Sequence, residues 1–139
     1  MREILFRGKR VDNGEWIEGC FANAAWYLDD KEMAVIFPAD LCMFPMCEVS
    51  NYEEVDLETV GQFTGLIDKN DKRIFEGDIL KSDDLYEEPL SVIFNENCGA
   101  FQVLFKDGYS DGFLEQYTDV RHIEVIGNIH DNPELLGDE

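Results

Sequence analysis

The stretch Thr64-Gly65-Leu66-Ile67-Asp68-Lys69-Asn70-Asp71-Lys72-Arg73-Ile74-Phe75-Glu76-Gly77-Asp78-Ile79-Leu80 (residues 64–80) decides the reading of this chain. Two apolar segments flank an uninterrupted polar run from Asp68 to Arg73. Such a run is too short for a helix and rich in residues that close turns, so it predicts a β-hairpin. Glu76-Gly77-Asp78 follows within one strand length and predicts a second sharp turn. Here Gly65, Asp68, Asn70, Glu76, Gly77 and Asp78 are turn-building residues, with Glu76 and Asp78 placed to accept local backbone hydrogen bonds.

Working outward, the same grammar recurs. Val11-Asp12-Asn13-Gly14-Glu15-Trp16 carries Asn-Gly, the preferred pair of a two-residue type I′ turn. That turn would set Val11 opposite Trp16 and Lys9 opposite Glu18, with Phe6, Ile17 and Phe21 on the other face. Residues 24–28 and 33–37 flank Asp29-Asp30-Lys31-Glu32 as a second hairpin, which Pro38 ends. Residues 38–51 read as irregular, and 52–58 as a strand or extended segment. Residues 60–67, 74–81, 90–94, 101–105 and 123–129 read as strands, and 108–121 as a loop with one helical turn at most. Asp131-Asn132-Pro133-Glu134 starts a single helical turn, with a cap residue and Pro in first position. Gly127 needs tight backbone geometry within the last strand.

The expected fold is therefore mainly β with little helix; a β-rich α+β arrangement is the alternative. N-terminal hairpins over residues 1–59 would join a small SH3-like barrel over residues 60–139 in one compact unit.

The chain has 139 residues and a net charge of −20, unevenly spread. Residues 1–20 balance four positive against four negative groups, residues 21–60 carry one Lys against nine carboxylates, and the remainder six against eighteen. Such a surface repels phosphate backbones and anionic lipid, so direct nucleic-acid or membrane binding is not expected. No apolar run approaches the roughly 20 residues that span a bilayer. The opening residues lack a long apolar segment and a small-residue cleavage site, so a cytoplasmic location is expected. In that setting Cys20, Cys42, Cys47 and Cys98 are expected to be reduced, packed thiols.

Three sharper chemistries meet the same residues. A calcium loop from Asp68 puts Lys72 at the third ligand position, Arg73 at the required glycine and Ile79 at the bidentate Glu, and so fails. Zinc on Cys42 and Cys47 lacks a second close ligand pair. A Cys/His nucleophile would need Cys98 or Cys20 beside His122, with Asp119 as orienter. No phosphate loop, nucleophile elbow or HExxH motif is present. No cofactor or metal is expected, and no catalytic residue is assigned.

Three segments resemble the YopX family of phage and prophage proteins. Arg2-Glu3-Ile4-Leu5-Phe6-Arg7-Gly8 is similar to its first strand, residues 59–80 to its central signature, and residues 123–136 to its C-terminal signature. Asp71 stands where relatives often carry Gly. The resemblance implies a phage or prophage origin, a C-terminal barrel-like region and no catalytic residue to carry over. The leading expectation is a non-enzymatic protein-binding or assembly module that self-associates or takes a basic host protein. The hairpin at Asn13, Gly14 and Trp16 and the acidic Asp83, Asp84, Glu87 and Glu88 are its candidate contact residues. The alternatives are an acidic decoy imitating a nucleic-acid backbone before a host DNA-binding protein, and a hydrolase using His122.

Overall fold

The computed structural model describes residues 4–25, 32–38, 53–82, 89–97, 99–104, 110–113 and 123–136. Cys42, Cys47, Cys98, Asp119, His122 and the acidic loop Asp83, Asp84, Glu87 and Glu88 lie outside them. The strands are β1 Phe6–Lys9, β2 Trp16–Ala25, β3 Glu32–Pro38, β4 Glu53–Glu54, β5 Gly61–Ile67, β6 Arg73–Phe75, β7 Asp78–Ser82, β8 Leu90–Asn95, β9 Ala100–Leu104, β10 Ser110–Phe113 and β11 Ile123–Asn128. Short 3₁₀ turns at Leu57–Thr59 and Pro133–Leu136 are the helical elements among the described residues. The chain forms two compact units, Met1–Phe63 and Thr64–Glu139, with the boundary inside β5.

In unit 1 the strand order is β4-β3-β2-β1-β5, and every pairing is antiparallel. β2 is one ten-residue strand that serves both N-terminal hairpins, pairing with β1 at one end and with β3 along the rest. Ala34, Ile36 and Val55 form a buried cluster against Phe6, Ile17, Phe21 and Val60. Phe6 and Phe21 pack at 5.6 Å between ring centroids with tilted planes, and with Ile17 they lie against the same buried cluster, so these side chains do share one face. Two glycines admit close approach. A Cβ at Gly8 would press on Val55, and one at Gly19 would run into the Phe37 carbonyl oxygen.

The first hairpin differs from its sequence expectation in register. Lys9 lies opposite Trp16 and Arg7 opposite Glu18, a shift of two residues. A four-residue loop, Val11 to Gly14, replaces the two-residue turn: Arg10 N–H donates to Glu15 O at 2.8 Å and Gly14 N–H to Arg10 O at 3.0 Å. Type I′ needs positive φ at both central residues, yet only Gly14 has it, at 73°. Asn13 instead turns its side chain back to accept the Glu15 N–H at 2.9 Å. A two-residue shift leaves each side chain on its original face, which is why the core assignment survives the slip.

In unit 2 the second half of β5 pairs with β6, and a sheet runs in the order β10-β9-β8-β7-β11. Ile74, Leu80, Leu90, Val92, Val103, Ile123 and Val125 form its buried core, with Leu66 and Phe101 packed against it. Burying each such aliphatic side chain contributes about 1.5–3 kcal/mol. The predicted strand over residues 74–81 is divided by the Glu76-Gly77 turn into β6 and β7. β10 falls where a loop was expected, paired to β9 at Ser110↔Leu104 and Phe113↔Gln102 with a register shift between the two pairs. No closed barrel forms among the described residues, because β10 and β11 end the sheet on opposite sides. Among the described residues an open antiparallel sheet stands where SH3-like closure was expected.

Candidate functional site

Asp68 to Lys72 form the tip of the β5–β6 hairpin. Asp68 N–H donates to Lys72 O at 2.8 Å and Asp71 N–H to Asp68 O at 3.0 Å. This is a three-residue loop whose last residue needs a left-handed backbone, the position usually given to Gly. Asp71 takes it with φ 64°. Asp68 is only 6% exposed. Its Oδ1 accepts the N–H groups of Asn70 at 2.8 Å and Lys72 at 2.9 Å, and its Oδ2 accepts that of Val125 at 3.0 Å. Beside it, Lys69 N–H donates to Ile123 O at 2.9 Å. The carboxylate is thus filled by backbone donors, the opposite of what a cation ligand needs. Lys69 Nζ and Glu124 Oε1, 3.7 Å apart at the surface, add at most about 1 kcal/mol.

The next turn is built on the same economy. Asp78, 1% exposed, accepts the Phe75 N–H on Oδ2 at 2.7 Å across the turn at Glu76-Gly77. Gly77 has φ 92°, a conformation that a Cβ disfavours. Its N–H donates to Val92 O and its O accepts from Ile129 N–H, both at 2.9 Å. Earlier in β5, Gly65 has φ 89°; next to it the Thr64 hydroxyl donates to Ile74 O and accepts Leu66 N–H.

The end of β11 completes the arrangement. Asn128 Oδ1 accepts the N–H groups of His130 and Asp131 at 3.0 and 2.9 Å. Asn132 reaches back: its Oδ1 accepts Asn128 N–H at 3.3 Å, and its own N–H donates to Asn128 O at 2.8 Å. A Cβ on Gly127 would lie 2.6 Å from Asn132 Oδ1, so this contact requires glycine. Pro133 then opens the last 3₁₀ turn, closed by Leu135 N–H to Asn132 O. Asp68 and Asn132 together accept two N–H groups of β11, at Val125 and Asn128, that a further strand would otherwise take. Those two positions of the β11 edge are thus capped by side-chain acceptors of the same unit.

Both segments that build this cap fall within residues 5–137, which match the family model described as "YopX protein". The chain belongs to the YopX family. A crystal structure of protein EF1440 from Enterococcus faecalis is similar, with TM-score 0.54, 23% sequence identity, and coverage of 98% of this chain and 99% of that one. At that identity the likeness speaks for the fold. No functionally curated protein matches.

The other named residues of this YopX chain lie at the tip of unit 1. Trp16 packs under two cations: the Arg7 guanidinium carbon is 4.7 Å and Lys9 Nζ 5.9 Å from its ring centroid. Asn13 and Gly14 are exposed at the loop. Arg10 holds the loop from below. Its Nε and Nη2 donate to Asp12 Oδ1 and Oδ2 at 3.1 and 2.8 Å, and Nη2 lies 3.0 Å from Glu53 Oε1. The Asp12 hydrogen bond raises the guanidinium pKa further above its ordinary value. The segment 53–58 lies alongside, through the Arg10↔Val55 bridge and the bonds Val11 N–H to Glu54 O and Asp56 N–H to Lys9 O. The hairpin is charge-balanced in sequence, but here it shares a surface with Glu53, Glu54, Asp56 and Glu58. Val11 and Leu57 are exposed on these two neighbouring segments, at 60% and 49%. Sequence reading missed both; the alternation of Val55 and Leu57 with acids was the available signal.

Among the described residues, no group of three or more His, Cys, Asp and Glu is placed to hold a metal ion. None of their helices is long and apolar enough to cross a membrane. Cys20 is disulfide-bonded, and every other cysteine lies outside the described residues. This corrects the expectation of a reduced thiol at Cys20; sequence spacing could not show which sulfurs meet in space.

Proposed function

We propose that this YopX chain is a non-enzymatic protein-binding module of phage or prophage origin, and that its partner surface is the tip of unit 1. The carrying observation is the pair Val11 and Leu57, exposed among Asp12, Glu15, Glu53, Glu54, Asp56 and Glu58. An apolar contact inside an acidic rim suits a basic protein segment with an aliphatic side chain, because charge steers the encounter and apolar burial holds it. The buried Asp68 and Asp78 support a non-catalytic reading, since their oxygens accept backbone N–H groups. The whole-chain charge of −20 favours a second reading, a decoy that occupies the nucleic-acid groove of a host protein.

The test is a pull-down from host lysate at low and high salt, using the full chain and a Val11→Ser/Leu57→Ser double variant. Direct binding is then measured with the purified partner. The module reading expects a salt-sensitive basic partner whose affinity the double variant lowers. Displacement of that partner's nucleic acid would select the decoy. No partner at low salt, together with a monomer by light scattering at every concentration, would remove both.

A further inference from the structure

We propose that Asn13 is a self-modification site, converting in the folded protein through a succinimide to aspartate and isoaspartate. The Asn13 Oδ1 to Glu15 N–H bond, 2.9 Å, closes a ring that contains both Asn13 Cγ and Gly14 N. It therefore holds the electrophilic carbon and the attacking backbone nitrogen within one small closed ring. The same N–H polarises the side-chain carbonyl and stabilises negative charge developing on its oxygen. Gly14 has φ 73°, and nothing lies within 4 Å of where its Cβ would be, so the attack meets no side chain. The Gly14 N–H is held by Arg10 O at 3.0 Å, a single bond in an exposed loop, the kind that opens first.

The chemistry balances with water alone. Gly14 N loses its proton and bonds to Asn13 Cγ; the Cγ–Nδ2 bond breaks and ammonia leaves with that proton. Water then opens the ring at either carbonyl. One product carries an ordinary aspartyl residue at this position, the other an isoaspartyl link that lengthens the loop backbone by one methylene. Either adds a carboxylate between Asp12 and Glu15.

The molecule supplies its own controls. Asn95 and Asn128 make the same side-chain bond, to Asn97 N–H at 2.9 Å and His130 N–H at 3.0 Å. They are followed by Glu96 and Ile129, whose side chains crowd the attacking nitrogen, and Asn128 is buried. Asn132 is followed by Pro133, which has no N–H to give.

Full-length protein is incubated in mildly alkaline buffer, native and in urea, beside an Asn13→Ser variant. Peptide mass mapping and enzymatic carboxyl methylation of isoaspartate read the outcome, and circular dichroism confirms that the native sample stays folded. The expected result is loss of the Asn13 amide in the native sample with Asn95 and Asn128 intact, and loss of that isoaspartate signal in Asn13→Ser. Intact native Asn13 over the interval in which the urea sample converts would overturn the proposal. So would native conversion of Asn95 or Asn128 at the same rate.

Discussion

The Asp68 carboxylate accepts the backbone N–H of Val125 at 3.0 Å, across 57 positions of sequence. One side chain thereby closes its own turn and covers the outer edge of the last strand. Residues 59–80 and 123–136, far apart in sequence, meet at this bond.

Removing the carboxylate leaves three backbone N–H groups without their acceptor. Asp68→Ala is expected to destabilise by about 2–4 kcal/mol, since hydrogen bonds to a charged acceptor are the strong ones. Asp68→Asn keeps one acceptor oxygen and should lose less. Urea denaturation at constant slope measures both.

Asp71 occupies a left-handed position, φ 64°, that glycine accepts without steric cost. Asp71→Gly is expected to raise the urea midpoint, by about 0.5–1 kcal/mol after the entropic cost of glycine in the unfolded chain. A lower midpoint would show that the Asp71 side chain contributes something the backbone does not reveal.

Two glycines are required for different reasons, and substitution separates them. At Gly77 the difficulty is φ 92°, with ordinary space around a Cβ. Gly77→Ala should cost about 1–2 kcal/mol, and Gly77→Asn less, because Asn tolerates positive φ. At Gly127 the difficulty is collision with Asn132 and Leu135. Gly127→Ala should cost about 1–3 kcal/mol, and Gly127→Asn more. Thermal or urea unfolding of the four variants provides the comparison.

The loop at residues 11–14 makes its own distinction. Asn13 serves through its side-chain acceptor, not through positive φ. Asn13→Ser and Asn13→Asp should therefore fall within a few tenths of a kcal/mol of the parent, whereas Asn13→Gly should lose about 0.5–1 kcal/mol. A type I′ turn would give the reverse order, with Gly tolerated and Ser costly.

The strands flanking Asp68–Arg73 were legible because turn residues and apolar runs alternate there without ambiguity. The left-handed backbone at Asp71 was not read from the sequence: the resemblance gave only that relatives often carry Gly there, and the structure shows Asp71 itself taking φ 64°. β10 was not legible either, because Ser110-Asp111-Gly112-Phe113 has no strand preference of its own and is organised by pairing with β9. The hairpin register was hidden because Asn-Gly serves more than one loop length, and in the longer one Arg10 pairs with Asp12 and with Glu53, which is distant in sequence. The cap over β11 was invisible for a simpler reason: local sequence shows that Asp68 closes a turn but not which distant N–H its second oxygen meets. The acidic rim around Val11 likewise exists only once residues 53–58 lie beside the hairpin.

Hydrogen exchange at the Val125 amide tests the central relationship most directly, in the parent and in Asp68→Ala under conditions where both remain folded. Val125 N–H is expected to be strongly protected in the parent and to lose most of that protection in the variant, while core amides such as Val103 keep theirs relative to global stability. Unchanged protection at Val125 in Asp68→Ala would contradict the account, because the edge of β11 would then be covered by something other than Asp68.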